Sequence, residues 1–137
     1  NVLSLTLAGQ TNGRKVQVSV VAVNEAGSGS ARVSGKVAAR LAAASKPRAL
    51  SLALVSGVVR GSWSAPSDDG GSAVLDYEVW YSTNKKSWTR AADGFSAAPG
   101  SAVPGLAAGT KYWVRVRAVT TYGPGTYCAP VSIRTAA

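Results

Sequence analysis

Apolar and polar residues alternate with a period of two along most of this chain, which puts every second side chain on one face, as in a half-buried β-strand. Before residue 39 the alternation marks Val2–Leu7, Lys15–Val23 and Ala31–Ala38. Beyond Pro47 it marks Leu50–Leu54, Val58–Ser64, Leu75–Ser82, Trp88–Ala91, Ser101–Val103, Lys111–Val119 and Val131–Thr135. Turn-forming clusters separate these runs, among them Thr11-Asn12-Gly13, Gly27-Ser28-Gly29, the SDDGGS stretch from Ser67, Thr83-Asn84-Lys85-Lys86 and Gly123-Pro124-Gly125. No window carries a helical period. The alanine-rich Val37–Ser45 is short and stops before Lys46-Pro47, so it reads as a linker or the end of a strand. Short strands spaced by turns predict an antiparallel β-sandwich.

One stretch occurs twice. A shift of 96 places, from Lys15 to Lys111, lays Asn12–Gly29 on Ala108–Gly125 with eight identities in eighteen positions and no gap. Gly13 meets Gly109, Val18 and Val20 meet Val114 and Val116, Ala22-Val23 meets Ala118-Val119, and Gly27 and Gly29 meet Gly123 and Gly125. A repeat of that length is the size of one seven-stranded sandwich. Residues 1–46 are therefore expected to be the last three strands of a truncated domain plus a semi-rigid linker around Ala39–Pro47, and residues 47–137 a complete domain. A lone three-stranded sheet would leave Val16, Val18, Val20 and Ala22 wet, so something is expected to cover it. The chain opens directly on its first alternating run, with no basic segment ahead of an apolar one and no apolar run long enough for a membrane span. It reads as a piece of a longer polypeptide.

In the second segment Pro47 opens the domain, Trp63 stands in GSWSAP with Pro66 ending that strand, and Leu75, Tyr77, Val79 and Tyr81 alternate through LDYEVWY. Leu106 precedes Tyr112 by six residues in LAAGTKYWVRVRAV, and a Gly-Pro-Gly loop follows. In this set the chain resembles the fibronectin type III family over essentially its whole length. The resemblance implies an all-β, seven-stranded antiparallel immunoglobulin-like β-sandwich, preceded by the C-terminal part of a second one. Trp63 is large enough to fill the space between two sheets, and Tyr112 fits a tyrosine corner, its hydroxyl turned back to nearby backbone. Val114, Val116 and Ala118 should continue its inward face, and Gly123 and Gly125 should give the last loop positive φ. The first copy departs from the pattern: Val16 stands at the place of the corner tyrosine and Gln10 at that of Leu106, with Leu7 a substitute for the latter. It should be the less stable copy.

Composition narrows the chemistry. Histidine and methionine are absent and there is one cysteine, so neither an intramolecular disulfide, a His- or Cys-cluster metal site nor a histidine-dependent triad can form. Asp68-Asp69 sit in a Gly-rich loop without the further spaced oxygen ligands of a calcium site. Cys128 has no histidine to activate it and reads as a buried thiol. Phosphate-loop, dinucleotide and N-glycosylation motifs are missing, and Arg60-Gly61-Ser62 lies in a core strand rather than an adhesion loop. No catalytic, cofactor or metal site is expected.

The net charge of +9 is spread over both segments. Lys111, Arg115 and Arg117 share one strand face with Trp113, and Asp76 and Glu78 share the outward face of their strand with Trp80. Arg115 or Arg117 should pair with those carboxylates, and Trp80 and Trp113 should stack with the arginines as a cation–π ladder. Trp80, Trp88, Trp113, Arg115, Arg117, Tyr122 and Tyr127 are thus the candidate contact surface. The resemblance implies a non-catalytic structural spacer or protein-contact and adhesion module of a multidomain extracellular or surface-assembly protein. Its alternative is an accessory, carbohydrate-associated module of a secreted polysaccharide-degrading enzyme. Expected partners are proteins or neighbouring copies in an assembly, with a glycan or anionic polymer as further candidates and nucleic acid not expected. The low charge density and small-residue content are similar to bacterial or phage-like copies. The expected setting is secreted or at the cell surface, in a filament, a virion tail or an extracellular enzyme.

Overall fold

The structure is a computed structural model that describes residues 5, 7–9, 14–38 and 41–137. It divides into two compact units, Asn1–Leu41 and Ala42–Ala137. The strand expected at Val2–Leu7 and the turn at Thr11–Gly13 fall mostly or wholly outside the described residues; Leu5 and Leu7 are exposed.

In the first unit the two expected strands fold back on each other as one interrupted hairpin. Its outward arm holds β1 (Lys15–Val16), β2 (Ser19–Val20) and β3 (Val23–Asn24), and its return arm holds β4 (Gly27–Ser28), β5 (Arg32–Val33) and β6 (Val37–Ala38). They pair β1 with β6, β2 with β5 and β3 with β4, all antiparallel. The pieces are short because the return arm carries an extra residue at each step, from Val16↔Val37 to Ser19↔Val33 and from Val20↔Arg32 to Val23↔Ser28. At the first of these bulges Ser34 serves the backbone itself. Its Oγ accepts the Val18 N–H at 2.9 Å, and its own N–H donates to the Val18 carbonyl at 2.8 Å.

The second unit has two sheets. One contains β7 (Arg48–Val55), β8 (Val58–Ser64) and β11 (Gly100–Ala102), ordered β11-β8-β7. The other contains β9 (Asp76–Ser82), β10 (Thr89–Arg90), β12 (Lys111–Thr120), β13 (Gly123–Pro124) and β14 (Val131–Arg134), ordered β10-β9-β12-β13 with β14 also on β12. Ser56 and Gly57, both at positive φ, make the two-residue turn between β7 and β8. Burial follows the alternation. Tyr112, Val114, Val116, Ala118 and Thr120 of β12 are buried and the residues between them half-buried, while Val59, Gly61 and Trp63 point inward from β8. These faces meet in one core with Tyr77, Val79 and Val103, and Trp63 packs edge-on against Tyr77 with ring centroids 5.3 Å apart. The unit is an all-β sandwich.

Residues 42–47 do not behave as a free linker. Within the second unit Ala42 N–H donates to the Gly70 carbonyl, Ser45 N–H to Asp68 and Thr126 N–H to the Ala44 carbonyl, and Ala44 and Pro47 are fully buried. Gly125 makes this possible, though not by the positive φ expected of it. A Cβ there would stand 2.5 Å from the Ala44 carbonyl oxygen, so glycine is needed for close approach; Gly123 is the residue at positive φ.

At both ends the hairpin of the first unit repeats the last hairpin of the second in register as well as in sequence. A shift of 96 places carries Lys15↔Ala38 and Val16↔Val37 onto Lys111↔Arg134 and Tyr112↔Ile133, and Asn24↔Gly27 onto Thr120↔Gly123. The same shift carries the Gly29 N–H to Ala22 carbonyl bond, at 2.8 Å, onto Gly125 to Ala118, at 2.7 Å.

Candidate functional site

The long strand β12 pairs with β9, setting Trp113 opposite Ser82, Arg115 opposite Trp80 and Arg117 opposite Glu78. All these odd-numbered β12 side chains lie on the outer face of the sheet, half-buried by their neighbours. Arg117 Nε donates to Glu78 Oε2 at 2.6 Å, and Trp80 Nε1 donates to the same oxygen at 3.2 Å. Arg90, opposite Trp80 on β10, reaches Glu78 Oε1 at 3.5 Å and Asp76 Oδ2 at 3.4 Å. Burial raises the Glu78 carboxyl, but the hydrogen bonds from Arg117 and Trp80 and the two guanidinium charges outweigh it and hold it below the usual range.

Among the described residues Arg115 pairs with no carboxylate. Its guanidinium lies 4.0 Å from the centre of the Trp88 ring and 3.8 Å from that of Tyr127, between two aromatic faces. Arg117 adds a face to the same stack, 4.6 Å from Tyr127 and 5.7 Å from Trp80, and Trp80 meets Tyr127 edge-on at 6.3 Å. Trp113 stands apart from this ladder, flanked by the ammonium groups of Lys85 at 5.1 Å and Lys111 at 5.0 Å. Tyr122, more than half exposed, joins none of these stacks among the described residues.

The arrangement differs from the expected one in three ways. Tyr127, not Trp113, is the hub of the ladder, because the irregular segment between β13 and β14 lays its ring over β12. Asp76 is not solvent-exposed as expected of an outer-face carboxylate: it is 3 % exposed, with Oδ1 accepting the Ser96 N–H at 2.9 Å. Arg90, Lys85 and the Ser96 backbone were not anticipated, although the placement of a strand at Trp88–Ala91 beside β9 is enough to bring Arg90 within reach of Glu78.

Elsewhere polar groups serve the fold. Tyr112 is buried and its hydroxyl accepts the Ala107 N–H at 3.0 Å, as a tyrosine corner requires. Asp68 and Asp69 cap their own loop by accepting the Gly70 and Gly71 N–H groups. Cys128 is buried, its Sγ accepts the Val116 N–H at 3.3 Å, and burial pushes the thiol up. Burial also raises the Asp93 carboxyl, which lines a cavity of about 260 Å³ with Trp63, Asp76 and Ser101. Among the described residues no three of His, Cys, Asp and Glu gather into a group that could hold a metal ion, and no helix is long and apolar enough to cross a membrane.

The family model for the fibronectin type III domain matches residues 45–134. The chain belongs to the fibronectin type III family. Fibronectin type III domains are a non-catalytic fold family, generally used as structural and adhesion modules of multidomain proteins. Among solved structures it is similar to the twitchin kinase region from C. elegans, with 25% identity, a TM-score of 0.63, and coverage of 70% of this chain and 17% of that one. Domains A168–A170 of titin match with 23% identity and a TM-score of 0.63, covering 78% of this chain and 37% of theirs. The FN5 domain of Drosophila Lar matches with 21% identity and a TM-score of 0.55, covering 69% of this chain and 98% of that domain. The chain thus spans well under half of the two longer chains. Comparison with curated protein sequences returns no match. The expectation of a bacterial or phage-like type is corrected by these structures, which include a nematode and a fly protein. It rested on low charge density, small-residue content and missing disulfides, which the fold tolerates in many forms, whereas the buried alternation carries the family signal.

Proposed function

We propose that this chain is a spacer and protein-contact module of a multidomain polypeptide, secreted or at a cell surface, whose contact surface is the outer face of β9 and β12. The observation that carries this reading is the Arg115 guanidinium held between Trp88 and Tyr127. A cation fixed between rings loses little freedom on binding, and aromatic and arginine side chains are the groups that anchor protein interfaces. Trp113 with its two lysines and the exposed Tyr122 extend this surface. Counting β13 and β14 as one strand interrupted by bulges gives the second unit seven strands. The first unit then reads as the last hairpin of a second such domain, a reading supported by the shared register.

The test is cross-linking mass spectrometry on the natural polypeptide, with Trp113→Ala, Tyr122→Ala and Arg115→Ala compared with Arg60→Ala on β8. Loss of inter-domain or inter-protein cross-links in the first three alone is expected. Cross-links unchanged in all three would overturn the assignment of this face.

A further inference from the structure

The outer face of the second unit's larger sheet is electrically lopsided. At one end Asp76 and Glu78 meet the guanidinium groups of Arg90 and Arg117, which make all the ion pairs among the described residues. Toward the other end, on the side of Trp113, stand Lys85, Lys111 and Arg134, and among the described residues none of the three pairs with an acid. Lys111 is directly opposite Arg134 across the ladder between β12 and β14, an opposition of like charges that disfavours the pairing. The unit's other carboxylates are engaged elsewhere: Asp68 and Asp69 cap their own loop, and Asp93 lines the cavity beside Trp63. The turn after β9 also holds a cation in place. Lys85 has a φ of 61°, strained for a residue with a side chain. Hydrogen bonds offset that strain. Ser82 Oγ accepts the Asn84 and Lys85 N–H groups at 3.1 and 2.8 Å, Asn84 Oδ1 accepts those of Lys86 and Ser87, and Trp88 Nε1 donates to the Lys85 carbonyl at 3.2 Å. The Lys85 and Lys111 ammonium groups are thereby set 5.1 and 5.0 Å from the centre of the Trp113 ring.

We propose that Lys85, Lys111 and Arg134, with the Trp113 ring beside them, form the docking site for an acidic segment of a partner protein. This rests on reading the outer face of β9 and β12 as the contact surface, and it names the partner's chemistry. Cations kept close together without counter-charge, one of them on a strained turn, disfavour the free module and are neutralised when carboxylates arrive. Size and surroundings point to a protein segment rather than a uniform polyanion. The outer-face run from Lys111 to Arg115 is about 13 Å long, and at the next outward position Arg117 already holds the Glu78 carboxylate. A nucleic acid or sulfated glycan repeats its charge at every step and meets that carboxylate at once. A protein segment sets each side chain separately. Its carboxylates can fall on Lys85, Lys111 and Arg134, and an uncharged residue on the stack of Trp88, Arg115 and Tyr127.

The test is an NMR titration of the 137-residue chain with a synthetic peptide of alternating glutamate and alanine, beside the same peptide with glutamine for glutamate, heparin, and single-stranded DNA. The glutamate peptide should shift the Trp113 indole and Lys111 amide signals, and the glutamine peptide should not. Lys85→Glu combined with Lys111→Glu should weaken that binding by at least about tenfold, and added salt should weaken it too. Lys111→Gln should also weaken it while leaving the thermal midpoint unchanged or raised, because it removes the opposition to Arg134; a residue kept for stability would lower it. Three results would overturn the proposal: no shift with the glutamate peptide, shifts that survive the charge reversal, or tighter binding of heparin or DNA at the same residues. Cross-linking of the natural polypeptide separates this proposal from the reading beneath it. Cross-links lost in Trp113→Ala but kept in the charge-reversed variant mean that the face is right and the acidic partner wrong. Cross-links kept in Trp113→Ala, Tyr122→Ala and Arg115→Ala alike mean that the face itself is wrong.

Discussion

Arg117 Nε lies 2.6 Å from Oε2 of Glu78, directly across the ladder between β9 and β12. Both side chains are mostly buried, at 21% and 13% exposure, so the pair is shielded from solvent more than an ordinary surface ion pair. Arg117 also stacks on Tyr127, which makes one guanidinium the link between the carboxylate cluster and the aromatic ladder.

Removing either partner of this pair should therefore cost stability. Glu78→Gln and Arg117→Met are each expected to lose about 1–2 kcal/mol at neutral pH, and a double-mutant cycle by urea denaturation should return a favourable coupling. The folded-state pKa of Glu78 is depressed, so its contribution is present above the unfolded value of about 4.5 and lost as pH falls through the lower folded value. Stability of Glu78→Gln should accordingly converge on that of the parent chain in acid. A difference that stayed constant from neutral pH down to pH 2 would contradict the assignment.

Tyr112→Phe should destabilise the second unit by about 1–2 kcal/mol. The ring still fills its place, but the Ala107 N–H loses its acceptor, and a partly buried donor left unpaired carries a desolvation cost. Thermal unfolding would register this as a lowered midpoint with native far-ultraviolet dichroism retained.

Gly125→Ala tests the docking of residues 42–47. The added methyl group meets the Ala44 carbonyl and Cβ, and that segment must move to admit it. We expect a loss of at least about 1 kcal/mol, with faster amide exchange at Thr126. An Ala variant as stable as the parent would mean the segment yields freely.

Cys128 should resist alkylation. Its thiol is buried and its pKa raised by that burial, so little thiolate forms at neutral pH and reagent cannot reach it. Iodoacetamide labelling followed by mass spectrometry should be slow in native buffer and fast in denaturant. Rapid native labelling would show that β12 and the segment after β13 part readily.

Much of the second unit was legible from the chain because its signals are local. Strand β8 was expected at Val58–Ser64 and is found there, since alternation and the flanking turns define it without reference to any partner. Trp63 and Tyr112 could be assigned to the core because few other places accept rings of that size. Strand β13 was missed, being two residues long with a proline. In the hairpin of the first unit, period two was visible but the bulges were not. They depend on which residues of the return arm, such as Ser34, divert the ladder.

What only the tertiary structure decided are the relations between distant segments. Alternation says that Asp76 shares a face with Glu78 and Trp80, yet the loop carrying Ser96 folds over the end of β9 and buries it. Alternation likewise puts Trp113 beside Arg115, but it cannot say that Tyr127, displaced by bulges, takes the place between the arginines. The sequence by itself determined the family and the longer strands of the second unit with their inward faces, because period-two burial is a property of each strand alone. The assembled sandwich determined the ladder and the docked residues 42–47, because each depends on which surface arrives opposite.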